Sequence, residues 1–260
     1  MNETLKTIHS LRSNHQYSEK EIPQEDLDTI LKATVRAANA SGRQSYSIVV
    51  VKEREAIRNM LGYDSKTALV FCIDYNRLKD TAVHLGQQYP IDGIREFISG
   101  STDAALAAQT AAIAAQSLGI ASLFTNSIHR GDMDRVYNQL ELPKKHCFPL
   151  VALILGYSDE HPTHLRGRLQ GKGVIHFDKY RKLTGDELDE LVKEHDDPDK
   201  HLYLNTDWKQ QGFAHYLEWF YKVWTTRDKR PPEARTKPFY EILQRAEFID
   251  SSRLHADTKT

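Results

Sequence analysis

Ser101-Thr-Asp-Ala-Ala-Leu-Ala-Ala-Gln-Thr-Ala-Ala-Ile-Ala-Ala-Gln-Ser-Leu-Gly119 reads as a helix with both ends marked. Ser101, Thr102 and Asp103 offer side-chain oxygens able to cap the free amides of a first turn. Gly119 stands where a left-handed terminal residue is wanted, ahead of a β-like run at 120–125. Between the ends, eight alanines surround Leu106, Ile113 and Leu118. Side chains this small let another backbone come close, so the helix belongs in the middle of something. That is either its own core or the contact between two copies of the chain. The alanine surface looks too flat to be covered by the chain's other, shorter helices, which points to a homodimer centred on this segment.

Around it the chain alternates. Leu27, Ile30, Leu31 and Val35 keep a helical spacing after Pro23, ending near Ala38. Residues 46–51 form a continuous β-branched run that reads as a buried strand, and 53–61 a short helix. A second strand is expected at 68–75, a third at 120–125, a helix at 132–140 and a fourth strand at 148–156. Strands separated by helices imply an α/β or α+β sheet layered with helices. After Tyr157 the character changes. A polar loop at 158–173 holds three glycines and two arginines. Thr184-Gly-Asp-Glu187 is a capping box opening an acidic helix to about His195. Residues 207–225 carry Trp208, Phe213, Tyr216, Trp219, Phe220 and Trp224, too aromatic for a free surface helix, so they must pack on the core or a partner chain. Pro231-Pro232 precedes a last helix expected at 238–248.

Composition excludes several classes. Lys and Arg number 35 against 36 Asp and Glu, so no global field draws the protein to nucleic acid or membrane. No apolar stretch approaches the roughly 20 residues of a transmembrane helix, and the N-terminus lacks a signal-peptide core. Cys72 and Cys147 sit in apolar runs and read as buried free thiols of a reducing, cytoplasmic compartment. There is no phosphate loop, no G-x-G-x-x-G after the first strand and no nucleophile elbow. His161-Pro-Thr-His164 has no third ligand nearby in sequence, so no metal is expected there.

Three polar clusters remain: Arg12-Ser-Asn-His-Gln-Tyr17, Asn39-Ala-Ser-Gly-Arg-Gln-Ser-Tyr46 and Arg166-Gly-Arg168. Singly, the first reads equally as a surface turn and the second as an ordinary connection whose small residues allow close ligand approach. The third is a cation pair suited to phosphate. In their order they resemble the nitroreductase family of flavoproteins, specifically its subgroup of major oxygen-insensitive nitroreductases and NADPH-flavin oxidoreductases. Arg12, Ser13, His15 and Tyr17 match a basic-serine-basic-aromatic signature. Asn39 to Gln44 matches a small-residue loop. Asp103, Ala107, Gln109, Ala115, Ser117, Leu118 and Gly119 match the family's dimer helix, and Arg166 with Arg168 its late basic pair.

The resemblance implies an α+β nitroreductase-like fold, a mainly antiparallel sheet sandwiched by helices. It implies a domain-exchanged homodimer, with an FMN-binding core at 1–165 and a helical extension at 166–260 wrapping the partner. FMN would lie at the interface, its phosphate meeting Arg12, Ser13, His15, Arg166 and Arg168. Asn39, Ala40, Ser41 and Gln44, from the partner in the family, would address the ribityl chain and ring edge. Thr125, Asn126 and Ser127 would lie against the ring, with Tyr63 as a substitute contact. The flavin carries the chemistry, so no catalytic residue is required of the protein. NADPH or NADH would reduce it, with Arg235 and Lys237 near the dinucleotide 2′-phosphate, and small acceptors (nitroaromatics, quinones, free flavins) would reoxidise it in a ping-pong exchange. A specialised flavoenzyme with another acceptor, or a non-catalytic flavin-binding protein, stays open on the same scaffold. Three departures stand out. His15 replaces a permanent cation and Leu11 a common polar ligand, while Thr125-Asn126-Ser127 replaces a glycine-rich turn.

Overall fold

Four strands share one antiparallel sheet in the order β1-β2-β4-β3, with β1 at Tyr46–Val51, β2 at Thr67–Asp74, β3 at Ala121–Thr125 and β4 at Cys147–Gly156. The computed structural model describes residues 1–160, 164–171 and 173–250. The two interior strands are apolar between their ends, over Ala68–Ile73 in β2 and Phe148–Leu155 in β4, because both their faces are covered. β1, expected to be buried, is an edge strand instead, with only Tyr46 and Val51 buried. Pro149 lies inside interior strand β4, where a missing N–H would ordinarily break a ladder. A bulge absorbs it: the register shifts so that Phe71 faces Val151 but Cys72 faces Pro149, and β3 pairs only with Ala152–Gly156.

Alternation along β2 and β4 divides the core. Leu69, Phe71, Leu153 and Leu155 pack with α2 (Gln24–Thr34) and α5 (Ile94–Ser117) on one face. Ala68, Val70, Cys72, Ala152 and Ile154 pack on the other with α3 (Arg54–Leu61) and α6 (Asp134–Gln139). The fold is therefore α+β, an antiparallel sheet sandwiched by helices. α1 (Glu3–Ser10) and α4 (Asn76–His84) bury no residue of their own.

The central helix differs from its sequence reading at one end. It begins seven residues earlier, at Ile94 after Gly93 with φ 74°, so Ser101, Thr102 and Asp103 are interior and cap nothing. The hydroxyls of Ser101 and Thr102 donate to the carbonyls of Phe97 and Ile98 one turn back. The other end is as expected: Gly119 adopts φ 71°, and the Ile120 amide donates to Ala115. The alanine face is not open to a partner. Ala104, Ala107, Ala108, Ala111, Ala112 and Ala115 are buried within the chain, between α2 and the sheet. The face left uncovered carries Ile94, Ile98 and Leu106, exposed at 49%, 61% and 42%.

The chain forms two compact units, one of residues 1–160 with the chain from Pro232 onward, the other from 161 to Pro231. The stretch after 165, read as one extension, is thus divided, and its last helix belongs with the core. That helix, α9 (Pro232–Arg245), starts six residues before its expected position and carries Pro238 inside it. Ile242, Ala246 and Phe248 bury against Tyr75, Phe97 and Phe148.

In the second unit the capping box is formed: Thr184 Oγ1 accepts from the Glu187 amide at 3.4 Å, and Glu187 accepts from the Thr184 amide at 3.0 Å, opening α7 (Gly185–Asp196). The aromatic segment is not one helix. Gly212 (φ 83°) interrupts it, leaving α8 (Tyr216–Trp219) with a π-helical turn at Phe220–Trp224. Trp208, Tyr216 and Trp219 bury against Tyr203, Phe213 and Phe220. The unit covers much of its aromatic surface itself, contrary to the expectation that these residues need the core or a partner.

At Gly100 α5 leaves no room for a side chain against the sheet: a Cβ there collides with Ile73 Cγ2 and lies 3.2 Å from the Tyr75 ring. Gly100→Val is expected to cost about 1–3 kcal/mol by overpacking, read from urea unfolding. An unchanged midpoint would show that α5 has room to move.

Candidate functional site

The segment Arg12 to Tyr17 is tied along the β3 edge. Ser13 bridges Ser122 in parallel, and the Asn14 amide donates to Ser122 O at 3.0 Å. Asn14 is buried, so Ser13 and His15 face outward on either side of it. Tyr17 closes the segment by donating to Asn14 O at 2.9 Å and lies against Gly156, where a Cβ would sit 2.7 Å from its ring. Burial pushes the Tyr17 phenol well above its ordinary value, which keeps it a hydrogen-bond donor. Arg12 is held by one guanidinium nitrogen, Nη2 donating to Glu160 O at 2.8 Å. Tyr63 is half-buried, its ring centroid 6.2 Å from that of His15. Arg12, Ser13, His15 and Tyr63 are thus brought together as cation, hydroxyl, imidazole and phenol.

The loop Asn39 to Ser45 is shaped by residues far away in sequence. Asp103, 1% exposed, accepts from the Ala40 amide through Oδ1 (2.8 Å) and from the Ser45 amide through Oδ2 (3.1 Å). Asn39 Oδ1 accepts from the Gln44 amide at 3.1 Å. Arg77 Nη2 donates to the carbonyls of Arg43 and Gln44 at 2.8 and 2.7 Å. Arg43 donates to Ala40 O, Tyr89 Oη and Ser99 Oγ. Ser41 and Gln44 are in the left-handed region, at φ 54° and 49°. Asp103 was read from sequence only as a cap and motif residue, and Arg77 was not assigned a role. Both act across long loops that no local spacing reveals.

These two groups stand apart in one chain. The loop feeds β1 and Arg12 to His15 flank β3, at opposite edges of the sheet. The same distance can be measured on α5, where Asp103 holds the loop and Gln116 donates to Ser10 Oγ at 3.1 Å. Thirteen helical residues separate the two anchors, about 20 Å at 1.5 Å per residue.

At the end of β3, Thr125 and Ser127 turn inward. The Thr125 hydroxyl donates to Ser127 Oγ at 2.9 Å and accepts from the Ser127 amide at 3.1 Å, and both residues are buried. Of the three expected ring contacts, only Asn126 exposes its side chain. Two residues on, His129 hydrogen-bonds through Nε2 to Pro149 O at 2.8 Å and packs against Phe239 of α9, ring centroids 5.4 Å apart. This contact sets the middle of α9 beside the turn that follows β3. Arg235, one turn before Phe239, shares its side of the helix. Lys237 is two residues, about 200°, around it and lies 3.6 Å from Glu241.

Arg166 and Arg168 belong to the second unit and are exposed. Arg168 Nη1 donates to the carbonyls of Arg166 and Gly167, at 3.1 and 2.9 Å. A Cβ on Gly167 would collide with Lys200 O, so this glycine lets the pair sit against the chain. His164 stacks on His201 at 3.7 Å, while His161 lies outside the described residues.

A model of the nitroreductase family matches residues 8–81. An FMN reductase (NADPH) of Bacillus subtilis is 32% identical over 199 residues, which cover 72% of this chain and 78% of that one. The chain belongs to the nitroreductase family. An FMN reductase [NAD(P)H] of the same organism is 29% identical over 237 residues, covering 85% of this chain and 93% of its own. The solved structure of Bacillus megaterium NfrA2 superposes with a TM-score of 0.78 at 26% identity, over 95% of this chain and 98% of that one. The donor set of this nitroreductase-family chain fits a flavin mononucleotide phosphate: Arg12, Ser13 and His15 offer two kinds of N–H and a hydroxyl at one edge, with charge-assisted bonds available from the guanidinium.

His129 gives the site's surroundings a pH dependence. Burial holds its pKa below the ordinary 6.5, with the bond to Pro149 O opposing in part. The unfolded chain therefore takes up the proton first, and stability falls as pH drops below about 6.5 toward the folded-state pKa. His129→Gln keeps a donor for Pro149 O without titrating. Its urea midpoint is expected to decline less than the parent's between about pH 7 and 5.5. Parallel declines would show that His129 carries no part of the pH dependence.

Proposed function

We propose that the protein is an FMN-dependent NAD(P)H oxidoreductase that reduces small acceptors such as nitroaromatics, quinones or free flavins, with each flavin held between two copies of the chain. The observation that carries this reading is the separation of the two candidate half-sites, about 20 Å along α5, together with the uncovered Ile94, Ile98 and Leu106 on that helix. One chain offers phosphate ligands at one sheet edge and a shaped loop at the other, so a second copy supplies the half that each lacks. Relatives named as FMN reductases support the activity. Cys72 and Cys147, buried free thiols, suit a reducing compartment such as the cytoplasm. No helix among the described residues is long and apolar enough to cross a membrane.

Bound FMN would supply the two-electron chemistry, which leaves the chain the tasks of binding, orienting and shielding. Arg12, Ser13 and His15 would hold the phosphate. Asn39, Ala40, Ser41 and Gln44 of the partner would meet the ribityl chain and ring edge. Asn126 would lie nearest the ring, with Tyr63 beside the phosphate ligands. Arg235, on the Phe239 side of α9, is better placed than Lys237 to receive a dinucleotide phosphate.

Replacing Arg12 with alanine is expected to weaken FMN binding by about 1.5–3 kcal/mol through loss of a charge-assisted bond, measured by flavin fluorescence titration. An unchanged affinity would refute the phosphate assignment.

NADPH is expected to be the more efficient donor. Arg235→Ala should erode its advantage over NADH by roughly tenfold, a loss of about 1.4 kcal/mol, with a smaller effect from Lys237→Ala. Equal use of both donors by the parent protein would leave these cations without a part in selection.

A further inference from the structure

Asp103 is an unusual residue for its place. It lies in the middle of α5 beside Ala104 and Ala107, on a face otherwise built of alanine and glycine, and is almost wholly buried. The helix does not need it, since its side chain makes no bond to α5. A buried carboxylate among apolar neighbours is costly unless its oxygens are satisfied. Here both are, by backbone amides at the two ends of one loop, Ala40 and Ser45. The positive charge of Arg43, inside the same loop, lies close enough to interact with it. The loop needs this clamp because Ser41 and Gln44 hold a left-handed backbone that non-glycine residues seldom adopt.

We propose that Asp103 is a positioning residue for the flavin, and that it serves the flavin held by Arg12 of the other chain. By fixing both ends of the Asn39–Ser45 loop before ligand arrives, it spares binding the cost of ordering that loop. Arg77 completes the clamp from outside through the carbonyls of Arg43 and Gln44. The inference rests on the reading that this loop meets the flavin. Its action in trans follows from the length of α5 between Asp103 and the anchor of the Arg12 segment at Gln116.

The test uses full-length chains with two different tags, one carrying Arg12→Ala and the other Asp103→Asn. Asparagine keeps one acceptor and turns an N–H toward the second amide, so it breaks one arm of the clamp. Each variant alone is expected to bind FMN at least about tenfold more weakly, by fluorescence titration, in both of its sites. The doubly tagged heterodimer, formed by co-expression, is expected to regain one site of parental affinity, because one site then carries both defects and the other none. A merely destabilised Asp103→Asn chain would give no such recovery. Arg77→Ala, a surface change that loosens the same loop, is expected to complement Arg12→Ala in the same way and serves if Asp103→Asn fails to fold. A heterodimer with two weakened sites would overturn action in trans. Parental affinity in Asp103→Asn, with weakened Arg12→Ala, would overturn the role of Asp103 alone. Parental affinity in Arg12→Ala would overturn the reading of the site beneath it.

Discussion

α5 rests on the sheet through alanines and a glycine, and the candidate site takes its dimensions from that contact. Gly100 fits against Ile73 and Tyr75 where any side chain would collide, and Ala104, Ala107, Ala108 and Ala111 continue the close face. With the helix fixed on β2 and β4, Asp103 and Gln116 become fixed points, one under the Asn39–Ser45 loop and one beside Ser10. The helix thus works as a ruler between two sheet edges. Its small side chains serve the chain's own core, and the larger ones, Ile94, Ile98 and Leu106, are left outward. The proposal of a shared site rests on this arrangement rather than on the alanines, whose burial the chain already accounts for.

Much of the core was legible because its signals are local and strong. β2 and β4 show as unbroken apolar runs, Gly119 ends α5 where a left-handed residue is needed, and Thr184 with Glu187 opens α7. The misreadings share a cause: residues with more than one local use. Ser101 and Thr102 have capping side chains, but inside a helix the same hydroxyls bond the preceding turn's carbonyls. Pro238 looked like a helix start, yet α9 begins at Pro232 and runs through it. In the aromatic segment, Gly212 breaks a periodicity that the aromatic residues alone suggest.

The candidate site was legible in its residues and their order, not in their support. Arg12, Ser13 and His15 stand together beside β3 as their spacing suggests. Thr125 and Ser127 turn away from solvent because their hydroxyls satisfy each other across the turn, a pairing that the tripeptide does not announce. Asp103 and Arg77 grip a loop some 30 to 60 positions away, at bond distances set only by tertiary packing. His129 is similar: its ring joins the strand end to Phe239 through a contact between distant parts of the chain.

Whether a flavin site needs two chains, as proposed, is decided by sedimentation velocity followed at the flavin's visible absorbance. Across a dilution series, flavin is expected to travel only with a species of twice the chain mass and to be released as that species dissociates. A single chain that sediments alone with stoichiometric flavin would contradict it.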